Sequence, residues 1–477
     1  MVFSSIIFLF RFLPITLFVY YIAPQKFKNA VLVICSLFFY SWGEVKYFPI
    51  MIASILVDYI VSLVIERNRE KKGICKICMG ISLLFNLGML FFFKYTNFFV
   101  DNINAFAGTH FAGIQLTLPL GISFYTFQTL SYTIDVYRGK TKAERNIVNF
   151  AAFVTLFPQL IAGPIVKYTD VSRELRERKM NLAQINEGIT LFIFGLGKKV
   201  LIANNIGSLW NQVQDIGFSN VSTPLAWLGI LAYSFQIYFD FSGYSLMAIG
   251  MGKMLGFEFP QNFNYPYISK SITEFWRRWH ITLSTWFREY LYIPLGGNRR
   301  GRTRQIWNLF VVWSLTGLWH GASWNFVLWG IYYFILLTIE KIFLGEKLEQ
   351  LPGWLQHVYT CLVVLFGWVI FANENIADLG RYFLTMFGAN GALYNQTAIY
   401  QWYTHIPLLI VLIIGSTKLP KQLLRKGWTR LKLIDAISSR QEQIRFVATS
   451  IFTVLVLYCS VAFLVSGSYN PFLYFRF

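Results

Sequence analysis

Residues 306–337 form a run of 32 residues, IWNLFVVWSLTGLWHGASWNFVLWGIYYFILL, without a single Asp, Glu, Lys or Arg. Other apolar stretches long enough to cross the hydrocarbon core of a bilayer recur along the whole chain. Charged residues make up only 14% of the sequence, against about 25% in an average soluble domain. The sequence therefore predicts an all-α polytopic membrane protein, and because no polar linker separates a soluble part, residues 1–477 are predicted to form one membrane domain.

Two segments do not fit a simple crossing. Segment 147–166, IVNFAAFVTLFPQLIAGPIV, has Pro and Gly in its middle and basic residues on both sides, which favours a re-entrant hairpin covered by protein. The run 306–340 is also flanked by basic stretches, so we expect two helices that meet at His320. The predicted simple crossings are 3–23, 29–42, 46–65, 74–99, 116–137, 185–206, 225–253, 357–372, 405–417 and 446–466.

Lysine and arginine are concentrated in particular loops. Five polar stretches hold 29 of the 42 Lys and Arg residues, whereas three other loops carry almost none. Because basic loops of membrane proteins stay in the cytoplasm, this pattern places both termini outside and 270–304 inside, and it accounts for the net charge of +19 without nucleic acid. The basic stretches are 66–72, 138–146, 167–179, 270–304 and 418–445, and the Lys/Arg-poor loops are 101–115, 211–224 and 373–404, in which Arg381 stands alone.

The stretch 270–304, KSITEFWRRWHITLSTWFREYLYIPLGGNRRGRTR, mixes tryptophans with eight basic residues. Ser271 and Glu274 have the spacing of a capping box. We expect an amphipathic helix of about a dozen residues to follow, lying at the cytoplasmic interface and ended by PLGGNRRG. His280 falls on this predicted helix, where lipid anchoring is the alternative to a catalytic role.

Two ionisable residues are predicted at membrane depth, where polar side chains are costly and tend to face a cavity or a partner. His320 has glycines nearby, which allow a backbone or a substrate to approach closely, although a hydrogen-bonded packing histidine is the competing interpretation. Asp240, in QIYFDFSGYS, is either a site residue or the buried counter-charge of a Lys or Arg. The three remaining histidines lie near predicted span ends: His110, His357 and His405.

Motifs of several enzyme and transporter classes are missing from the sequence. It contains no G-x-x-x-x-G-K-[ST], no G-x-S-x-G and no His/Cys/Asp cluster with metal-ligand spacing, which disfavours a P-loop pump, an α/β-hydrolase and a zinc enzyme. Cys75 and Cys78 form a C-x-x-C without a second pair, so we expect them to be reduced and packed, without a metal. The remaining patterns favour a general base inside the membrane, reached from a cytoplasmic surface rich in basic residues.

Five stretches resemble the membrane-bound O-acyltransferase family, and most closely its bacterial polysaccharide branch of alginate and peptidoglycan O-acetyltransferases. The resemblance implies about 11–13 transmembrane or re-entrant helices around a central tunnel, with cytoplasmic amphipathic helices, in the bacterial cytoplasmic (inner) membrane. The core motifs lie within 120–330. They are SFYTFQTLSYTIDVYRGK (123–140), LFPQLIAGPIVKY (156–168), YFDFSGYSLMAIGMGKMLGFEFPQNFNYPY (238–267), EFWRRWHITLSTWFREYLYIPLGGNR (274–299) and GLWHGASWNFVLWG (317–330).

The family's two characteristic histidines, in WHG and WRRWH contexts, correspond to His320 and His280. The resemblance implies that His320 is the general base that removes a hydroxyl proton during acyl transfer, and that His280 helps to position or polarise the thioester. The tail 469–477 resembles an aromatic terminal motif of polysaccharide-modifying members or their small companion subunits. It implies that Tyr474 takes up the acyl group and passes it on, with an aromatic interface anchor as the alternative.

The resemblance also implies a donor and a set of substrate contacts. The donor is a thioester, acetyl-coenzyme A or an acyl carrier protein, and no tightly bound cofactor is expected. Arg288, Arg299 and Arg300 are further candidates for donor phosphates, although the positive-inside rule alone would place arginines there. The expected substrate-binding residues are Trp319, Asp240, Arg277, Arg278 and Asn325.

Taken together, these expectations describe a membrane O-acyltransferase. It moves an acyl group, expected to be acetyl, towards an extracytoplasmic cell-wall or secreted polysaccharide. An esterase-fold partner of the SGNH type would complete the transfer. The nearer alternative is D-alanyl transfer to teichoic acid from a carrier protein, which the aromatic tail on this chain disfavours. The distant alternative is a transporter or channel with His320 and Asp240 on its path, although the sequence shows no internal symmetry.

Overall fold

The computed structural model describes residues 1–114, 116–389, 393–431 and 441–467, and the regular secondary structure in these ranges is helical. The helices of the first half are α1 (Leu13–Ile22), α2 (Lys28–Ser41), α3 (Phe48–Arg67), α4 (Lys72–Ala107), α5 (Ile122–Tyr137), α6 (Ile147–Thr155), α7 (Phe157–Leu160), α8 (Tyr168–Arg176), α9 (Leu182–Gly197) and α10 (Asn204–Ile216). Those of the second half are α11 (Thr223–Met254), α12 (Ile272–Arg278), α13 (Ile281–Phe287), α14 (Arg302–His320), α15 (Trp324–Ile339), α16 (Gly345–Gln350), α17 (Gly353–Ala372), α18 (Ile376–Met386), α19 (Gln396–Gly415), α20 (Leu419–Leu431) and α21 (Gln441–Ser466).

Many of these helices have the dimensions of membrane spans. Every predicted crossing coincides with a helix, which confirms the polytopic architecture. The bundle also contains helices that are shorter or less apolar than these spans: α2, α5, α11 and α14. Within the described ranges, seven stretches are long and apolar enough to cross a bilayer: Phe48–Arg67, Lys72–Ala107, Leu182–Ile216, Trp324–Gln350, Gly353–Ala372, Gln396–Gly415 and Glu442–Ser466.

Four of the basic stretches meet at one end of the molecule, which we call the basic end. The Ala143 backbone N–H donates to the Glu66 carboxylate at 2.6 Å. Lys167 forms an ion pair with Glu289 at 3.1 Å, and Arg138 Nη1 donates to the Glu289 carbonyl oxygen at 3.1 Å. The separation of charges read from the sequence is therefore a separation in space. The stretches joined are 66–72, 138–146, 167–179 and 270–304.

The loops without lysine meet at the opposite end, which we call the Lys/Arg-poor end. Thr385 Oγ1 donates to the Phe218 carbonyl oxygen at 3.0 Å, which joins 373–404 to 211–224. Trp324 Nε1 donates to Asn102 Oδ1 at 2.9 Å, so the start of α15 lies beside the loop 101–115. The turn between α14 and α15 therefore faces this end.

Segment 147–166 is a re-entrant hairpin, as predicted. Helix α6 enters the bundle from its Asn146 cap, the chain breaks at Leu156, and the stretch after α7 returns to Tyr168, whose hydroxyl donates to the Glu144 carboxylate at 2.6 Å. Both ends of the segment therefore lie at the basic end. Its irregular backbone is satisfied by protein, for example by Ser36 Oγ, which accepts the Phe157 N–H at 3.1 Å.

Glu144 anchors this hairpin at its base. Burial acts to raise the pKa of Glu144, but hydrogen bonds from Tyr168, the Asn146 backbone N–H and Arg176 outweigh burial and hold the pKa below its ordinary value. The carboxylate is therefore ionised at neutral pH and binds the two ends of the segment together.

The run 306–340 forms two helices that meet at His320, again as predicted. Helices α14 and α15 cross where Gly317 faces Gly330, and a Cβ at Gly330 would lie 2.5 Å from the Trp313 carbonyl oxygen. Only glycine allows this approach, because any side chain would overlap the neighbouring backbone. The crossing fixes the turn that carries His320.

The predicted surface helix after Ser271 is wrong. The segment forms two short helices, α12 and α13, separated at Trp279 and His280, and buries Phe275, Trp279, His280 and Leu283 inside the bundle. The aromatic side chains that suggested lipid anchoring pack against other helices instead. The helix starts as expected, because Ser271 Oγ accepts a hydrogen bond from the Glu274 backbone N–H at 3.0 Å. The second bond of the capping box differs: the Glu274 carboxylate accepts from the Lys270 backbone N–H at 2.8 Å, not from the Ser271 backbone N–H.

Candidate active site

His320 is the last residue of α14, and its side chain is only 6% exposed. The imidazole is enclosed edge-to-face by the rings of Trp319, Trp329 and Phe371, with centroid distances of 5.0, 5.0 and 5.1 Å. Its Nδ1 atom has no hydrogen-bond partner among the described residues. An apolar box with an unpaired imidazole nitrogen is an environment in which a neutral histidine can accept a proton from a bound hydroxyl.

Helix α4 caps the end of α14 that carries His320. Lys94 Nζ donates to the Trp319 carbonyl oxygen, and the Tyr95 hydroxyl donates to the Leu318 carbonyl oxygen at 2.6 Å. These carbonyls belong to the last turn of α14, where a cation is favourable to the helix dipole. The contacts hold His320 in place from a helix far away in the sequence.

His280 lies between α12 and α13 and is 1% exposed, so the lipid-anchor interpretation is wrong. Its backbone is left-handed, with φ of 42°, an uncommon and costly conformation for a residue with a side chain. The ring contacts Phe241 edge-to-face with a centroid distance of 4.8 Å, and Nδ1 lies 3.0 Å from Asn262 Oδ1. The break between the two helices therefore directs this histidine into the protein.

Trp319 brings the two histidines together. Its indole contacts His320 with a centroid distance of 5.0 Å and His280 with one of 6.1 Å. His280 belongs to the segment inserted from the basic end, whereas His320 lies at the turn beside the Lys/Arg-poor end. The predicted pair therefore meets inside the bundle, with one member approaching from each end.

The other predicted contacts are divided between this centre and the basic end. Asn325 Nδ2 donates to the Phe371 carbonyl oxygen at 3.0 Å, so Asn325 binds the backbone of a residue whose ring packs on His320. Arg278 is held by Glu274 at 2.7 Å and by the Asn264 carbonyl oxygen at 3.0 Å. Arg277 is exposed at the basic end.

Asp240 forms a buried ion pair with Lys199 at 2.7 Å, with side chains 3% and 1% exposed. Lys199 also donates to Asn204 Oδ1 at 2.9 Å. This is the arrangement that the counter-charge interpretation expects. Asp240 is thus engaged within the protein, and its part in substrate binding remains a prediction.

Two residues of the site were not identified from the sequence. Lys94 stands within FFFKYTNFF, and the reasoning that singled out His320, an ionisable residue in an apolar span, applies to it equally. Asn262 stands in the quoted motif QNFNYPY, but no local pattern connects it to His280, 18 residues later. Tyr474 lies outside the described residues, and within them no group of three His, Cys, Asp or Glu side chains is placed to hold a metal.

Comparison with known proteins places this centre in a family. Residues 142–377, which include both histidines, match the model of the membrane-bound O-acyltransferase family. The chain is 39% identical over 503 residues to the probable alginate O-acetylase of Azotobacter vinelandii, covering 100% of each chain. It is 36% identical to the peptidoglycan O-acetyltransferase of Helicobacter pylori, over 82% of this chain and 80% of the relative.

A more distant relative covers less of the chain. The teichoic acid D-alanyltransferase of Bacillus subtilis is 29% identical over 54% of this chain and 69% of its own length. The full-length similarity to O-acetylating relatives, the helical membrane architecture and the buried histidine pair agree with one another. This chain belongs to the membrane-bound O-acyltransferase family.

Proposed function

We propose that this O-acyltransferase moves an acetyl group from a cytoplasmic thioester, across the membrane, towards an extracytoplasmic polysaccharide. The observation that supports the proposal is the contact of both histidines with Trp319, because His280 belongs to a segment that begins at the basic end and His320 to a turn beside the Lys/Arg-poor end. The O-acetylating relatives, which act on alginate and peptidoglycan by name, support a polysaccharide as the final acceptor.

In the proposed reaction, His320 removes the proton from an acceptor hydroxyl, and the hydroxyl oxygen attacks the thioester carbonyl carbon. The C–S bond of the thioester breaks, and the leaving thiolate takes the proton from the imidazolium. His280 holds the thioester beside the indole of Trp319. We propose Tyr474 as the acceptor hydroxyl, with an esterase-fold partner of the SGNH type accepting the acetyl group from the tyrosyl ester.

We propose that the donor binds at the basic end. A cavity of about 440 Å³ there is lined by Arg138, Lys140, Glu289 and the apolar pair Ile293 and Pro294. The two cations in its lining suit the phosphates of coenzyme A or of a carrier's prosthetic group.

Stacked rings link this cavity to the histidine pair. Arg138 lies 5.5 Å from the centroid of Tyr290, which contacts Trp286 at 5.2 Å. Trp286 stacks on Phe127 at 3.8 Å, and Phe127 contacts Trp319 at 5.7 Å. We propose that the acyl-bearing arm of the donor follows this line of rings.

A labelling experiment tests the function. Purified protein is incubated with radiolabelled acetyl-coenzyme A and examined for covalent label, with wild type beside His320→Ala and Tyr474→Phe. We expect label on wild type and its loss in both variants, about a 100-fold reduction or more for His320→Ala. The exposed loop variant His110→Ala is the control and should be labelled like wild type.

Each other outcome decides a specific point. Label that survives in Tyr474→Phe rules out the tyrosine relay while leaving the acetyl donor established. Folded wild type that takes no label from acetyl-coenzyme A argues for a carrier-protein donor, and the same assay with D-alanyl carrier protein then separates the nearer alternative from acetyl transfer.

The donor site has its own test. Replacing Arg138 and Lys140 by Gln should raise KM for acetyl-coenzyme A about tenfold or more with little change in kcat, because each charge-assisted hydrogen bond contributes roughly 1.5–3 kcal/mol. Lys76→Gln, which removes an exposed cation elsewhere at the basic end, is the matched control. An equal rise in KM for the control would show only a general surface-charge effect.

A further inference from the structure

Asn262 makes a set of hydrogen bonds that identifies each atom of its side-chain amide. Oδ1 accepts from the Thr282 backbone N–H at 3.3 Å and from the Thr282 hydroxyl at 2.9 Å. Nδ2 donates to the Gly163 carbonyl oxygen at 3.3 Å. A backbone N–H can only donate and a carbonyl can only accept, so the orientation of the amide follows from its neighbours.

This orientation determines the tautomer of His280. The atom of Asn262 that lies 3.0 Å from His280 Nδ1 is the oxygen, which accepts hydrogen bonds and cannot donate one. His280 Nδ1 must therefore carry the proton, and in the neutral ring Nε2 is the nitrogen with the lone pair. A neutral His280 of this form accepts a hydrogen bond at Nε2 and cannot donate one there.

The same side chains attach His280 to the re-entrant hairpin. The Thr282 hydroxyl accepts the Ile165 backbone N–H at 2.9 Å while it donates to Asn262. The Ile281 N–H donates to the Asn262 carbonyl oxygen at 2.9 Å. Asn262 and Thr282 thus contact Gly163 and Ile165 in the returning part of the hairpin. These contacts attach the hairpin to the break between α12 and α13 that carries His280.

We propose that Asn262 is a positioning residue that holds His280 as the Nδ1–H tautomer and directs Nε2 as a proton acceptor. The inference rests on the proposed function for its catalytic consequence, but the tautomer itself is a property of the resting protein. It refines the expected role of His280, because a neutral ring of this form cannot polarise the thioester carbonyl by donating from Nε2.

Several titratable groups of the described structure lie near His280. His320 packs on the same Trp319 indole as His280, and Lys94 binds the Trp319 carbonyl oxygen. On α11, the ring of Phe241 packs on His280, and Asp240 beside it is paired with Lys199. A new charge at position 262 would therefore act directly on His280.

The direct test is ¹⁵N NMR of histidine-labelled protein in detergent, with His280→Gln used to assign the resonance. We expect His280 to show a protonated Nδ1 and an unprotonated Nε2 in wild type, and a mixture of tautomers in Asn262→Ala. This measurement needs no donor or acceptor, so it stands even if acetyl-coenzyme A is not the donor. A protonated Nε2 in wild type, or an unchanged tautomer in Asn262→Ala, would overturn the proposal.

Kinetics tests the consequence. Asn262→Ala should lower kcat for acetyl transfer about 10–100-fold with little change in KM, the size of effect seen when the hydrogen-bond partner of a metal-bound histidine is removed. Asn262→Asp keeps the acceptor and should restore part of kcat, but its carboxylate stabilises the imidazolium and should shift the acid limb of the pH–rate profile to higher pH.

Asn308→Ala is the matched control. Asn308 is fully buried, and its amide donates to the Gly297 carbonyl oxygen at 2.8 Å. The control should lose thermal stability without a change in the pH profile. If Asn262→Asp leaves the acid limb in place, or if the control shifts it equally, Asn262 has only a structural role.

Discussion

At the scale of single residues, the structure divides the polar groups predicted inside the membrane into two kinds. His320 is enclosed by aromatic rings, and its Nδ1 atom has no hydrogen-bond partner in the part of the chain that the structure describes. Asp240 is bound to Lys199 in a closed ion pair. The sequence signal, an ionisable residue in an apolar stretch, is the same for both. Their difference arises from the neighbours that folding supplies, because leaving a charge without a partner in a low-dielectric interior costs far more free energy than leaving a neutral imidazole nitrogen without one.

A double-mutant cycle at the Asp240–Lys199 pair tests this division. Asp240→Leu or Lys199→Met alone should lower the free energy of unfolding by about 3–5 kcal/mol, because each leaves one buried charge uncompensated, whereas the double variant should recover most of the loss. Thermal unfolding in detergent measures the stabilities, and KM for acetyl-coenzyme A is measured on the double variant. If the double variant is stable but its KM for acetyl-coenzyme A is greatly raised, Asp240 takes part in substrate binding.

At the scale of secondary-structure elements, breaks in helices place the functional groups. Pro158 and Gly163 interrupt segment 147–166, and the chain returns to the end where it entered. Gly321 separates α14 from α15, and the left-handed backbone of His280 separates α12 from α13. The breaks at Pro and Gly were predicted from the sequence. The break at His280 was not, because WRRWHIT contains neither Pro nor Gly, the residues that break helices most strongly.

The crossing of α14 and α15 provides a prediction at this scale. Gly330→Ala should lower the free energy of unfolding by about 1–3 kcal/mol, because its Cβ would overlap the Trp313 carbonyl oxygen and push the hairpin apart. Acyl transfer should fall with it, since the turn carries His320. Gly80→Ala on α4, where the added Cβ meets nothing within 4 Å, is the control and should be neutral or stabilising. Equal destabilisation of both variants would argue against close packing as the cause.

At the scale of the whole molecule, the two ends differ in charge and the site lies between them. The basic end collects stretches far apart in the chain, through contacts such as Lys167 with Glu289 and Arg138 with the Glu289 carbonyl oxygen. His280 belongs to a segment that begins at this end, and His320 to a turn beside the other. The positive-inside rule predicts that the basic end faces the cytoplasm.

Cysteine labelling tests the assigned sides. In a background without native cysteines, Ser219→Cys and Asn298→Cys place exposed thiols in loops at the two ends. A membrane-impermeant maleimide should label Ser219→Cys in intact cells and Asn298→Cys only after permeabilisation, because 211–224 is expected outside and 270–304 inside. The reverse pattern would invert the topology and move the proposed donor cavity to the wrong side of the membrane.

The sequence by itself determined the helical membrane class, the crossings, the re-entrant hairpin, the hairpin at His320 and the separation of basic from Lys/Arg-poor loops. These features follow from the cost of placing charge or unsatisfied backbone in lipid, which acts on each segment separately and is therefore visible locally. The family resemblance added the two histidines as a pair.

Only the tertiary structure decided that the segment after Ser271 is inserted into the bundle, that Lys94 caps α14, and that Asn262 binds His280. Each of these depends on contacts between residues distant in sequence, and an aromatic residue shows the same local pattern whether it faces lipid or other helices. Lipid and protein interior are both apolar environments for such a side chain, so its sequence context cannot distinguish them. Packing against specific neighbours makes that distinction.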